Sequence, residues 1–106
     1  MALTWKILGQ SNPSATTLTD LYTVPASTEA TLQVVVANRG AATSFRLAVA
    51  PNGASDDNSH YTAYDVAIGA NSVYTSPKIT VDAADVVRVY ATLATLTFSA
   101  FGAQKT

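Results

Sequence analysis

The side chains with the greatest potential for catalysis lie in and beside one polar loop, residues 51–59, which precedes the only histidine, His60. Its neighbours in sequence include Ser55, Asp56, Asp57 and Ser59. A histidine acts as a general base when a carboxylate orients it and a nucleophile lies beside it. Such groups normally converge from separate elements, whereas these share one loop. We therefore predict no catalytic residue and no enzymatic activity, and we expect His60 to begin a strand.

The same loop carries oxygen atoms that could bind a hard cation such as Ca²⁺. Its candidate ligands are Asn52, Ser55, Asp56, Asp57 and Asn58. Their spacing lacks the alternating acidic positions and terminal glutamate of an EF-hand, and adjacent aspartates are typical of turns. The chain has no cysteine, which excludes thiolate metal sites and disulfides. We expect no metal and no cofactor.

Three tyrosines are candidates for glycan contact: Tyr61, Tyr64 and Tyr74. Flat amphipathic rings at a protein surface can stack on the apolar face of a sugar. Tyrosines of this kind also cover the edges of β-sandwich cores. The sequence leaves both roles open.

The elements that position these side chains are predicted to be short strands. Runs rich in β-branched residues alternate apolar and polar positions, and Pro, Gly, Asn and Asp interrupt them at intervals of roughly ten residues. The first run, residues 3–8, is expected to end at Gly9, and Pro77 divides a later one. About eight such runs predict one all-β domain over residues 1–106, a small antiparallel β-sandwich of jelly-roll or immunoglobulin-like topology.

The longest run, Glu29–Asn38, is apolar on both faces. Leu32, Val34 and Val36 share one face, and Val35 lies on the other. A strand with two apolar faces is typical of a central position covered on both sides, and the outer cover could be another chain. We therefore predict a protein interface that includes these four residues and Trp5.

Composition limits the partners. Charged residues make up 12% of the chain, about half the usual share, and the formal net charge is −1. No basic surface is available for nucleic acid, so no nucleic-acid partner is expected. The first residues lack the pattern of a secretory signal, and no apolar stretch is long enough to span a membrane. We expect a soluble, unprocessed chain with no membrane partner.

Five segments resemble a family of small virion structural proteins of tailed bacteriophages. They are residues 8–26 (LGQSNPSATTLTDLYTVPA), 36–40 (VANRG), 60–65 (HYTAYD), 85–92 (DVVRVYAT) and 97–102 (TFSAFG). Together they extend over nearly the whole chain. They consist of strand and turn residues, so the resemblance implies a fold and a place in the virion but no catalytic residue.

The resemblance implies a non-enzymatic subunit repeated on a virus particle. The first expectation is a capsid decoration, or cement, protein on the capsid surface, which binds at junctions between major capsid proteins and stabilises the shell. The alternative is a component of the tail, collar, baseplate or fibre, with host-surface glycan as a further ligand. Accessory proteins of this kind sit on local three-fold axes, so a homotrimer is the preferred assembly.

Overall fold

The fold was obtained as a computed structural model, which describes residues 2–106. Within that range the chain forms nine strands and two short 3₁₀ turns. The strands are β1 (Leu3–Ser11), β2 (Thr19–Thr23), β3 (Glu29–Asn38), β4 (Thr43–Ala50), β5 (Tyr61–Ile68), β6 (Val73–Thr75), β7 (Ile79–Val81), β8 (Val86–Ala91) and β9 (Leu96–Lys105). The turns, Pro51–Gly53 and Asn58–His60, lie between β4 and β5. His60 was expected to begin a strand but ends the second turn, and β5 begins one residue later at Tyr61.

The strands form two antiparallel sheets that pack face to face. Sheet A has the order β1-β9-β3-β6, with β7 also paired to β3, and sheet B has the order β2-β8-β4-β5. When β6 and β7 are counted as two halves of one strand, the sheets contain strands 1-8-3-6 and 2-7-4-5, the order of a jelly roll. The all-β sandwich predicted from the sequence is confirmed, and of its two topologies the chain adopts the jelly roll.

The core consists of the inward residues of both sheets. Phe45 of β4 lies at its centre, with its ring centroid 6.3 Å from that of Phe98 on β9. Leu32, Val34 and Val36 of β3 face this core and are at most 1% exposed. The expectation that these three residues form an interface is therefore wrong, because their apolar face packs within the chain's own sandwich. Val35 points outward and is half-buried.

The predicted break at Pro77 separates β6 from β7 at one edge of sheet A. Proline has no N–H to donate to a ladder and is tolerated at sheet edges. Ser76 restores the lost pairing, since its N–H donates to the Val34 carbonyl (2.9 Å) and its hydroxyl accepts from the Val34 N–H (2.8 Å). The Gln33 side-chain amide also donates to the Ser76 carbonyl. One buried serine thus joins the two short strands to β3.

Two strands differ from the sequence expectation because of bulges. β1 continues past Gly9 to Ser11, with a bulge between Ile7 and Gly9. A side chain at Gly9 would collide with the Leu21 carbonyl, so glycine allows β1 to approach β2 closely. In β5 a bulge at Asp65, whose φ is 51°, interrupts the simple alternation.

Candidate interaction surface

The outer face of sheet A carries most of the exposed hydrophobic side chains. Among residues 2–106, seven large hydrophobic residues are exposed, and five of them lie on this face. These five are between 42% and 76% exposed: Leu3, Trp5, Ile7, Val73 and Phe101. We call this set the apolar face. Exposed apolar residues that cluster on one face of a small protein mark an interaction surface.

Strand register brings these residues together. Leu3, Trp5 and Ile7 alternate along β1 and therefore share one face. Ile7 lies opposite Phe101 on β9, and Trp5 lies opposite the small residue Ala103. Directly opposed residues in an antiparallel pair point to the same side of the sheet. β1 and β9 thus form one continuous apolar stripe.

A shallow groove of about 590 Å³ lies at one end of this face. Leu3, Trp5 and Ala103 form part of its apolar lining, and charged side chains also line it; we call these charged side chains its rim. The rim includes Glu29 and Lys105, which lie opposite each other on β3 and β9. An apolar centre with a charged rim is the usual composition of a protein–protein interface.

The outer face of sheet B has a different chemistry. The Arg46 guanidinium lies between two tyrosine rings, 4.1 Å from the centroid of Tyr64 and 4.3 Å from that of Tyr90. Its Nε donates to an Asp65 carboxylate oxygen at 2.6 Å, and this hydrogen bond raises the pKa of Arg46. On the same face Arg88 pairs with Asp20 at 3.0 Å. Both arginines on this face are therefore partnered within the chain.

The structure brings together two of the three predicted glycan tyrosines. The Tyr61 and Tyr64 rings are 4.9 Å apart and meet edge to face, beside a concavity of about 430 Å³ that Asn58 also lines. The Tyr61 hydroxyl donates to Asp56 (3.2 Å), and burial raises the pKa of Tyr61. Tyr74 packs instead against Phe45, 4.9 Å between centroids. The grouping of Tyr74 with the other two is therefore wrong.

The residues of the polar loop that were considered for catalysis include Asp57 and Ser59, which stabilise a turn. Asp57 caps the 3₁₀ turn Asn58–His60 by accepting from the Ser59 N–H at 3.0 Å and from the Ser59 hydroxyl. These hydrogen bonds lower the pKa of Asp57. The Nδ1 atom of His60 is buried and has no hydrogen-bond partner in the part of the chain described. The serine hydroxyl thus points to the aspartate of its own turn.

Two other kinds of feature are a metal site and a membrane-spanning helix. Among residues 2–106, no group of three or more His, Asp or Glu side chains is arranged to hold a metal ion. No helix in that range has the length and apolar character needed to cross a membrane. Comparison with protein-family models, with curated proteins and with solved structures gave no match to this chain.

The sequence contained a signal for part of the apolar face. Trp5 was identified, and the alternation of Leu3, Trp5 and Ile7 with Thr4 and Lys6 is visible in the residue pattern. That pattern is equally typical of a strand that buries one face. The pattern gives no sign of Phe101 or Val73, because only strand pairing places Phe101 beside Ile7 and Val73 on the same outer face, at the opposite edge of the sheet.

Proposed function

We propose that this chain is a non-enzymatic structural subunit of a tailed-bacteriophage virion that binds other virion proteins through the apolar face. The most specific form of the proposal is a capsid decoration protein at junctions of major capsid subunits. The observation that supports it is the concentration of exposed large hydrophobic residues on the outer face of sheet A. The resemblance in the five sequence segments supplies the virion setting.

The energetics of the apolar face suit a repeated, modest interface. Burying one large hydrophobic side chain stabilises a complex by about 1.5–3 kcal/mol. Trp5 and Phe101 are aromatic residues of the kind that dominate interface energies. The same contact made at many positions on a particle stabilises the assembly without a tight individual site. Jelly rolls also occur in viral capsid domains, although fold alone assigns no function.

Rebinding to particles that lack this protein tests the proposal. Phe101→Ser removes an aromatic ring from the apolar face, and we expect binding to fall by about tenfold or more, as for loss of an interface anchor. Tyr64→Ser is the matched control, because it removes an exposed ring from the outer face of sheet B. Equal binding by both variants, or a low copy number in quantitative mass spectrometry of intact virions, would contradict capsid decoration.

A second candidate function is a tail, collar, baseplate or fibre-associated component that contacts host glycan. Its support is the adjacency of Tyr61 and Tyr64 beside a concavity. This hypothesis predicts a low copy number and co-purification with isolated tails. It also predicts that Tyr64→Ala loses glycan binding and that Phe101→Ser does not. An array of host-surface glycans that shows no binding by the parent chain removes the glycan role.

A further inference from the structure

One edge of sheet A is open along most of its length. β1 is the terminal strand of the sheet, and within residues 2–106 it pairs only with β9. Every residue from Leu3 to Ile7 is exposed. An edge strand with unpaired backbone groups is a template for pairing with another chain.

The hydrogen bonds at the chain ends show which backbone groups of β1 are free. Ala2 and Thr106 donate to each other's carbonyls, at 3.2 and 2.9 Å. Hydrogen-bonded and non-hydrogen-bonded pairs alternate along an antiparallel ladder, so Thr4 and Lys6 also direct their backbone groups toward β9. The residues between them, Leu3, Trp5 and Ile7, direct their N–H and C=O groups to the open edge.

This edge is less protected against strand addition than the edges formed by β5 and by β6 and β7. Natural edge strands are protected by proline, charge, bulges or short length. At the opposite edge of sheet A, β6 and β7 have three residues each and are separated by Pro77. In sheet B the edge strand β5 has a bulge at Asp65. The Leu3–Ile7 segment has no proline, one charged residue and no bulge before Ile7.

We propose that β1 pairs with β1 of a second copy, antiparallel, about a two-fold axis at Trp5. Leu3 then lies opposite Ile7 of the second copy, and the two Trp5 residues lie opposite each other. All three free residues of each strand exchange their backbone hydrogen bonds in this register. Sheet A continues across the axis, and the apolar faces of the two copies join. The inference does not depend on the virion role.

The register follows from charge and strand length. An axis at Lys6 would place two ammonium groups opposite each other, and directly opposed like charges are destabilising. An axis at Thr4 would leave Ile7 beyond the second copy's strand, which begins at Leu3. The axis at Trp5 avoids both problems and places Lys6 opposite Thr4. It gives a two-fold dimer instead of the homotrimer that the resemblance implies.

Amide hydrogen exchange of the full chain measures the pairing directly. Amide-exchange spectra and sedimentation equilibrium are recorded at about 10 μM and at about 1 mM protein, and the two concentrations are compared. The dimer population depends on protein concentration. We expect a dimer at the higher concentration, with exchange at the Leu3, Trp5 and Ile7 amides slowed about tenfold or more. The Thr4 and Lys6 amides, which bond to β9, are protected at both concentrations. This alternation distinguishes edge pairing from contact between sheet faces.

Two substitutions identify the edge. Trp5→Lys places like charges at the axis and is expected to abolish the dimer, with circular dichroism showing the native fold. Val73→Lys is the matched control, because Val73 is exposed on the same face at the opposite edge. If Trp5→Lys does not fold, Ile7→Lys replaces it. The proposal is overturned by a monomer at about 1 mM, by a trimer, by uniform protection along β1, or by a dimer that Val73→Lys disrupts and Trp5→Lys does not.

Discussion

At the scale of single residues, the structure replaces a possible catalytic loop with a capped turn. Asp57, Ser59 and His60 stand in the order that suggests acid–base chemistry, but the serine hydroxyl and N–H both bond to the Asp57 carboxylate. These contacts give the loop a fixed conformation before β5 begins. They also make Asp57 a measurable probe of the turn.

The pKa of Asp57 is expected to lie below its ordinary value and to rise toward it in Ser59→Ala, because that substitution removes the hydroxyl bond. The effect of this pKa on stability follows from the linkage between protonation and folding. A lowered folded-state pKa stabilises the protein above the ordinary carboxyl pKa of about 3.9, and this contribution disappears as pH falls through the folded-state value. NMR titration of the Asp57 carboxyl carbon measures the shift. Ser55→Ala, in the same exposed loop, is the control and should leave it unchanged.

At the scale of elements, Ser76 keeps the chain hydrogen-bonded to β3 next to a proline. Pro77 removes a ladder donor, and the chain bends between β6 and β7. The Ser76 hydroxyl takes the place of a backbone acceptor for the Val34 N–H, which lies in the core strand β3. The side chain is 3% exposed, so water does not supply a substitute.

Ser76→Ala is expected to destabilise the fold by about 1–3 kcal/mol, because it leaves the buried Val34 N–H without a partner. The free energy of unfolding in urea measures the loss. Thr75→Ala is the matched control, since Thr75 is the exposed residue that directly precedes Ser76. Similar losses in the two variants would show that the hydroxyl is not the bridge between β6 and β3.

At the scale of the whole molecule, the two outer faces have opposite characters. The apolar face of sheet A has charges only at its rim, whereas the arginines of sheet B are held by Asp65 and Asp20. The low charged share of the sequence is therefore unevenly distributed between the two sides. β1 and β9 pair with each other, which places Ala2 beside Thr106.

A circular permutant of residues 2–106 that joins Thr106 to Ala2 through a short Gly/Ser linker and opens between Ser55 and Asp56 is expected to keep the fold. Ala2 and Thr106 already meet through two backbone hydrogen bonds, and the opening lies in an exposed loop. Circular dichroism and thermal unfolding test this. Opening the chain between Val34 and Val35, inside β3, is the control that should not fold. Loss of the fold in the first permutant would show that the ends need to be free.

Strand positions are the part of this protein that its sequence determines by itself. β3 occupies the predicted residues, and Pro77 separates two strands as expected, because alternation and turn residues act locally. Where local patterns were misleading, a bulge intervened, as at Gly9 and Asp65. The alternation of apolar and polar residues gives no sign of where a bulge inserts an extra residue into a strand.

Tertiary structure decided which face of each strand is inside, which strands are neighbours and which side chains meet. Alternation separates two faces but does not say which one is buried, so Leu32, Val34 and Val36 were assigned to an interface when they form the core. Phe101 joins Ile7, and Arg46 joins Tyr90, only through cross-strand register. The open edge of β1 likewise exists only because the strand order of the jelly roll places β1 at the end of sheet A. Contacts between distant parts of the chain depend on the order of strands in the sheets, which local residue patterns do not specify.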